Sequence, residues 1–216
     1  MNATATTIRG LYVIADAALL RERDLPGAVT QAVAGGAALV QYRDKDADVS
    51  ARETRARAVA ALCNRCGVPL IINDDVALAA AVGAAGVHLG RDDPSLCQAR
   101  RVLGPRAIIG VSCYNDLAMA IAAQSQGADY VAFGAFFPSP TKPEAVHAPL
   151  SLLTAAKARL RLPVVAIGGI TPDNAGALIA AGADAVAVIH GVFGQADPRA
   201  AAQRYARLFR ARSAVS

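Results

Sequence analysis

Residues 182–191 read GADAVAVIHG, and residues 127–134 read GADYVAFG. In each, a glycine able to stop a helix in a left-handed turn is followed by Ala-Asp and a short apolar run. Related stretches stand at Gly35-Gly36-Ala37-Ala38, before LVQYRD, and at Gly83-Ala84-Ala85-Gly86, before VHLG. The pattern predicts a helix end, a tight turn and a buried strand, four times over. Working outward, eight strands are predicted: Leu11–Asp16, Ala38–Arg43, Leu70–Asn73, Gly86–Leu89, Ala107–Ser112, Tyr130–Phe136, Val164–Ile167 and Ala185–Ile189. Helices are predicted at about 26–35, 51–66, 75–84, 95–103, 116–126, 150–158, 173–181 and 198–211. Strand–helix alternation predicts parallel β-α units, and eight of each predict a closed (β/α)8 TIM barrel. The glycine turns precede strands two, four, six and eight, as though the barrel were built from two-strand units.

The chain of 216 residues is 54% hydrophobic, enough for one large core. No linker or composition break divides it, so one domain is expected over 1–216, with 1–9 a flexible N-terminus. Charged residues interrupt every long apolar run, and MNATATTIRG lacks a basic segment followed by an apolar one. The expectation is a soluble, cytoplasmic protein with no membrane partner. The net charge of +5 permits anionic ligands. Arg52, Arg55 and Arg57, like Arg204, Arg207 and Arg210, read as solvated helix faces. With 5% aromatic residues and no Trp, stacking surfaces for bases are not expected, nor is a nucleic-acid partner. Cys63 and Cys66 form an isolated CxxC; with Cys97 and Cys113 they read as packed, reduced thiols rather than a zinc or redox site.

In such a barrel, the C-terminal strand ends carry function. Strand two ends in Gln41-Tyr42-Arg43-Asp44-Lys45, and alternation sends Gln41, Arg43 and Lys45 to one side. Arg and Lys together suit a polyanion, or else a surface ion-pair network with Asp44 and Asp46. Strands three and four end in Asn73-Asp74-Asp75 and His88-Leu89-Gly90-Arg91-Asp92-Asp93. One acid at each end serves as a helix cap; two at each suggest a site for Mg²⁺, which takes carboxylates, water and phosphate oxygens. Ser112, closing strand five, is either an anion contact or a turn residue, with Asn115 as the cap of helix five. No acid–histidine pair accompanies Ser112, which excludes an activated-serine hydrolase. Gly168-Gly169 after strand seven and Ile189-His190-Gly191 after strand eight occupy the usual barrel phosphate position. His88 reads equally as a ligand contact or a satisfied strand histidine, and His147 as exposed in the loop after strand six. In that loop Pro138, Pro140 and Pro143 stiffen the chain around Ser139, Thr141 and Lys142.

Taken in order, QYRDK (41–45), IINDD (71–75), GVHLGRDD (86–93), GVS (110–112), AFGAFFPSPTKP (132–143), AIGGITPDN (166–174) and AVIHGVF (187–193) resemble the thiamine phosphate synthase family. The resemblance runs from about residue 10 to 211. It implies a transferase that joins an aminopyrimidine methyl diphosphate to a thiazole monophosphate with Mg²⁺, releasing pyrophosphate. It implies that Arg43, Lys45, Asn73, Ser112 and Lys142 hold the diphosphate, with Arg43, Lys45, Ser112 and Lys142 taking part in catalysis. Asp74 and Asp93 would ligate Mg²⁺. Gln41 and His88 would touch the pyrimidine, Ser139 and Thr141 the thiazole, and Gly169 with Ile189 and His190 the thiazole phosphate. The family often has Ser where His190 stands, and often His where Tyr114 stands, so Tyr114 receives no role. Partners are small molecules, with homo-oligomerisation left open. The alternatives are a thiazole tautomerase-like isomerase, needing only the thiazole phosphate site, and a non-catalytic phosphate-binding barrel. A phosphosugar epimerase would need an acid–base pair that the strand ends do not offer.

Overall fold

A computed structural model of the chain describes residues 8–139 and 146–213. Eight parallel strands close into a barrel in sequence order. They are β1 Gly10–Asp16, β2 Ala37–Arg43, β3 Leu70–Asn73, β4 Gly86–Leu89, β5 Ile108–Tyr114, β6 Tyr130–Phe133, β7 Val164–Ile167 and β8 Ala185–Val188. Around them run α1 Leu25–Ala34, α2 Val49–Cys66, α3 Val76–Ala81, α4 Leu96–Leu103, α5 Leu117–Ser125, α6 Ser151–Arg159, α7 Pro172–Ala181, a short α8 His190–Phe193 and α9 Pro198–Ser213. The core lies in two shells. One, between strands and helices, contains Val13, Val40, Tyr42, Ile72, Val131 and Leu153. The other fills the barrel interior and contains Ile8, Tyr12, Ile14, Leu39, Ile71, Tyr130 and Val165. Strand alternation alone divides them: Tyr12 and Ile14 point in, Val13 points out.

The two GAD stretches, 127–129 and 182–184, are equivalent in the fold. Asp129 accepts from the Ile109 N–H at 2.8 Å and from Arg100 at 2.6 Å. Asp184 accepts from the Val164 N–H and from Lys157, both at 2.8 Å. Each aspartate joins its own turn to the start of the preceding strand and to a cation on a neighbouring helix. Both stand at the end of the barrel opposite the strand C-termini, where such pairs serve stability. The two-strand period is less exclusive than the sequence implied. Left-handed glycines also precede β3 (Gly67, φ 66°) and β5 (Gly104, φ 86°), and in the Gly35-Gly36 pair it is Gly36 that takes positive φ.

Three further expectations need correction. The sixth strand ends at Phe133, three residues early: a cis Gly134–Ala135 peptide follows it. Phe136 and Phe137 then bond the Ile167 and Gly168 carbonyls at 3.1 Å each. Helix α5 is capped by Asp116, which accepts from Ala118 and Met119, not by Asn115. Cys63 and Cys113 are buried thiols, but Cys66 and Cys97 are exposed. Among the described residues, no helix is long and apolar enough to cross a membrane.

Candidate active site

The acid-rich ends of β3 and β4 separate into caps and non-caps. Asp75 caps α3, accepting from the Leu78 N–H at 2.9 Å. Helix α4 is capped by Ser95, whose capping box with Gln98 uses neither Asp92 nor Asp93. Asp93 instead turns back, accepting from the Gly90 N–H at 2.6 Å. Asp74 adopts φ 64°, unusual for a non-glycine residue. Its N–H donates to the His88 carbonyl at 2.9 Å, tying the ends of β3 and β4 together.

This geometry brings the Asp74 and Asp93 carboxyls within hydrogen-bonding reach of one another. Burial pushes Asp93 up, and the neighbouring Asp74 carboxyl adds to the rise. Burial pushes Asp74 up as well, but Lys45, bonded to its Oδ2, and Asp93 outweigh it and hold it below the usual carboxylate range. Two neighbouring carboxyls at adjacent strand ends favour a shared cation. Among the described residues, no third His, Cys, Asp or Glu joins them. That suits Mg²⁺, which commonly takes one or two carboxylates and fills its shell with water and substrate phosphate.

On β2, Gln41 and Arg43 face inward, as alternation requires. Arg43 pairs with Asp16, at the end of β1, and Lys45 with Asp74. The alternative, an ion-pair network of Arg43 and Lys45 with Asp44 and Asp46, does not form: Asp44 pairs with Arg55 and Asp46 with Arg21. Arg43 and Lys45 therefore belong to the barrel mouth. Sequence reasoning passed over Asp16, although it closes β1 and the rule applied to the other strand ends would have found it.

Ser112 and His88 meet: Ser112 Oγ lies 2.9 Å from His88 Nε2. The other ring nitrogen, Nδ1, lies 2.9 Å from the Tyr130 hydroxyl. His88 is thus a satisfied strand histidine, held at both nitrogens. Asn73, half-buried, closes β3 beside this group. At Tyr114 the Arg91 guanidinium lies 4.8 Å over the ring, so that position is occupied by a cation–π pair.

Across the mouth, a cavity of about 270 Å³ opens between the ends of β7 and β8, lined by Ser139, Gly168, Gly169, Thr171, Ile189, His190 and Gln195. Gly169 holds φ 59°, and a Cβ there would lie 2.3 Å from the Pro138 carbonyl oxygen. Only glycine lets the loop after β6 close down on this turn. Asn174 braces the turn from α7, accepting from the Thr171 N–H at 2.8 Å and donating to the Gly169 carbonyl at 3.1 Å. The short helix α8, not expected from the sequence, follows at His190 and makes the β8 exit the kind of loop that commonly binds phosphate in this fold. Thr141 and Lys142 lie outside the described residues.

The comparisons with known proteins agree with this geometry. A family profile described as thiamine monophosphate synthase matches residues 11–192. The chain is 57% identical over 205 residues to a protein of Nitrosococcus oceani named thiamine-phosphate synthase, covering 95% of this chain and 94% of that one. It is 54% identical over 209 residues to one of the same name from Thioalkalivibrio sulfidiphilus, covering 97% and 99%. Among solved structures it is similar to the thiamine phosphate pyrophosphorylase of Pyrococcus furiosus, with a TM-score of 0.86 and 33% identity over 96% of this chain and 98% of that one. The chain belongs to the thiamine monophosphate synthase family.

Proposed function

We propose that this protein condenses an aminopyrimidine methyl diphosphate with a thiazole monophosphate, giving thiamine phosphate and pyrophosphate. The observation that carries this is the pairing of two unlike anion sites across one barrel mouth. On one side stand Arg43, Lys45, Ser112 and the Asp74–Asp93 pair. On the other is the glycine-floored cavity at Gly169 and Ile189–His190. A thiazole isomerase would use the second alone.

In this reading Arg43, Lys45, Asn73, Ser112 and Lys142 hold the diphosphate, and Gln41 and His88 meet the pyrimidine. Ser139 and Thr141 contact the thiazole, while Gly169, Ile189 and His190 hold its phosphate. Asp74 and Asp93 would hold Mg²⁺, which when bound would neutralise charge growing on the leaving diphosphate. The carbon–oxygen bond breaks with its electron pair leaving on pyrophosphate, and the ring amine stabilises the methylene cation. The thiazole nitrogen then supplies the pair for the new carbon–nitrogen bond, so no general base is required. Arg43, Lys45 and Lys142 act where negative charge appears, and the two sites fix the approach of nitrogen to carbon. No activated nucleophile is needed, so the Ser112–His88 pair supplies no attacking group in this reading.

The test is turnover with both substrates and Mg²⁺, comparing the wild type with Asp93→Ala. Product from the wild type and loss of most metal-dependent turnover in the variant is the expected result. No product from folded wild-type protein would sink the reading, and an Asp93→Ala enzyme of unchanged activity would remove that ligand assignment.

A further inference from the structure

Below the strand ends, five side chains form a continuous hydrogen-bonded chain through the barrel interior. Gln41 Nε2 donates to the Tyr12 hydroxyl at 2.7 Å. Tyr12 and Tyr130 hydroxyls lie 2.9 Å apart. The Tyr130 hydroxyl meets His88 Nδ1, and His88 Nε2 meets Ser112 Oγ, both at 2.9 Å. The two tyrosines are fully enclosed, at 2% and 0% exposure, so their protons must go to partners in the chain. Burial pushes both phenols far up, which keeps both hydroxyls protonated.

With the Gln41 amide nitrogen on Tyr12, the chain takes one direction. An amide N–H can only donate, so the Tyr12 oxygen accepts from Gln41 and its single proton passes to the Tyr130 oxygen. The Tyr130 proton then points at His88 Nδ1. With Nδ1 accepting, the ring N–H stands at Nε2 and donates to Ser112 Oγ. The Ser112 proton is thereby released toward the mouth. With the Gln41 amide turned over, every link would reverse, and Ser112 would present a lone pair instead. Facing a diphosphate, only the first polarity attracts.

We propose that Tyr12 and Tyr130 are positioning residues, which through His88 hold the Ser112 hydroxyl as a donor to the leaving diphosphate. The chain spans the site: Gln41, at its origin, sits on the pyrimidine side, and Ser112, at its end, on the diphosphate side. It rests on the functional reading above. Glycine at position 110 makes the chain possible. His88, Gly110 and Tyr130 are register partners on adjacent strands, and the missing side chain lets the Tyr130 ring cross β5 to stack on His88, with centroids 5.5 Å apart.

Two measurements test it. Nitrogen-15 spectra of the free protein, with the His88 signals identified by their loss in His88→Gln, should show Nε2 protonated and Nδ1 bare. Tyr130→Phe should erase that preference. In turnover, Tyr130→Phe should lower kcat about tenfold, the scale of one hydrogen bond to a charged group, with KM for the thiazole phosphate unchanged. In a Ser112→Ala background the same change should cost nothing further. Tyr12→Phe, which breaks the chain one link earlier, should behave alike. A proton on Nδ1 in the wild type, or an equal kcat loss with and without Ser112, overturns the proposal. A wild type inactive on both substrates refutes the functional reading instead, while the ring-nitrogen signals still decide the chain's direction.

Discussion

Replacing Gly110 with alanine probes the barrel interior most sharply. Its φ is not positive, so the backbone tolerates alanine and the effect isolates the added methyl. That methyl would lie 2.0 Å from Tyr130 Cζ and 2.4 Å from Cε1 and Oη. Carbon atoms rest about 3.5 Å apart or more, so the ring must retreat by about 1.5 Å. It has nowhere to go cheaply: His88 stacks on it and Tyr12 abuts it edge-on at 6.0 Å. A shift of that size breaks its two hydrogen bonds, now 2.9 Å each. Overpacking costs about 1–3 kcal/mol, and two hydrogen bonds about 1 kcal/mol each. The sum, about 3–5 kcal/mol, corresponds to a fall in Tm of roughly 6–20 °C for a domain of this size. Thermal unfolding of Gly110→Ala, Tyr130→Ala and the double variant measures it. With the ring gone, the methyl enters vacated space, so the Gly110 substitution should cost almost nothing in the Tyr130→Ala background. The same cost in both backgrounds would refute the clash as its cause.

Other consequences follow from the two ends of the barrel and its surface. Asp184→Ala removes two bonds at the end remote from the mouth; urea unfolding should show a loss of about 1–3 kcal/mol, with kcat unchanged. Asp44 is pushed up by burial, but hydrogen bonds from Tyr42, the Ala47 N–H, Arg55 and the Asp46 N–H outweigh this and hold it below the ordinary carboxylate range. Its contribution is therefore full above that range and lost as pH falls through the lower folded value. Asp44→Asn should be less stable at pH 7 by about 1 kcal/mol, and the gap should close in acid unfolding curves. Cys66 and Cys97 should react quickly with a thiol reagent, while Cys63 and Cys113, pushed up to about 12 by burial, should wait for unfolding.

The barrel was legible because its signals are local and repeated. A helix-stopping glycine, an aspartate and a β-branched run say the same thing wherever they stand, and β3, β4 and β7 match expectation residue for residue. Where the reading failed, local preference was overridden from a distance. The apolar run 134–136 has the composition of a strand, but its backbone leaves the β6 ladder to bond the end of β7. The aspartates after β4 look like caps, yet Ser95 takes that role and leaves Asp93 to face Asp74. Arg43 and Lys45 were legible as a pair, but their partners, Asp16 and Asp74, are set by strand neighbours 27 and 29 residues away. Tyr12 and Tyr130 passed as apolar strand residues, because nothing in either strand reveals that their hydroxyls meet 118 residues apart. An inward-parity tyrosine opposite a strand glycine was the one available clue.

If one barrel mouth brings both substrates together, pyrophosphate leaves only as thiamine phosphate forms. Phosphorus NMR of the protein with Mg²⁺, the pyrimidine diphosphate and the thiazole phosphate tests it directly. Pyrophosphate and thiamine phosphate should appear in equal amounts, with neither formed when either substrate is omitted. Pyrophosphate released without thiamine phosphate, or no change with folded protein, would contradict it.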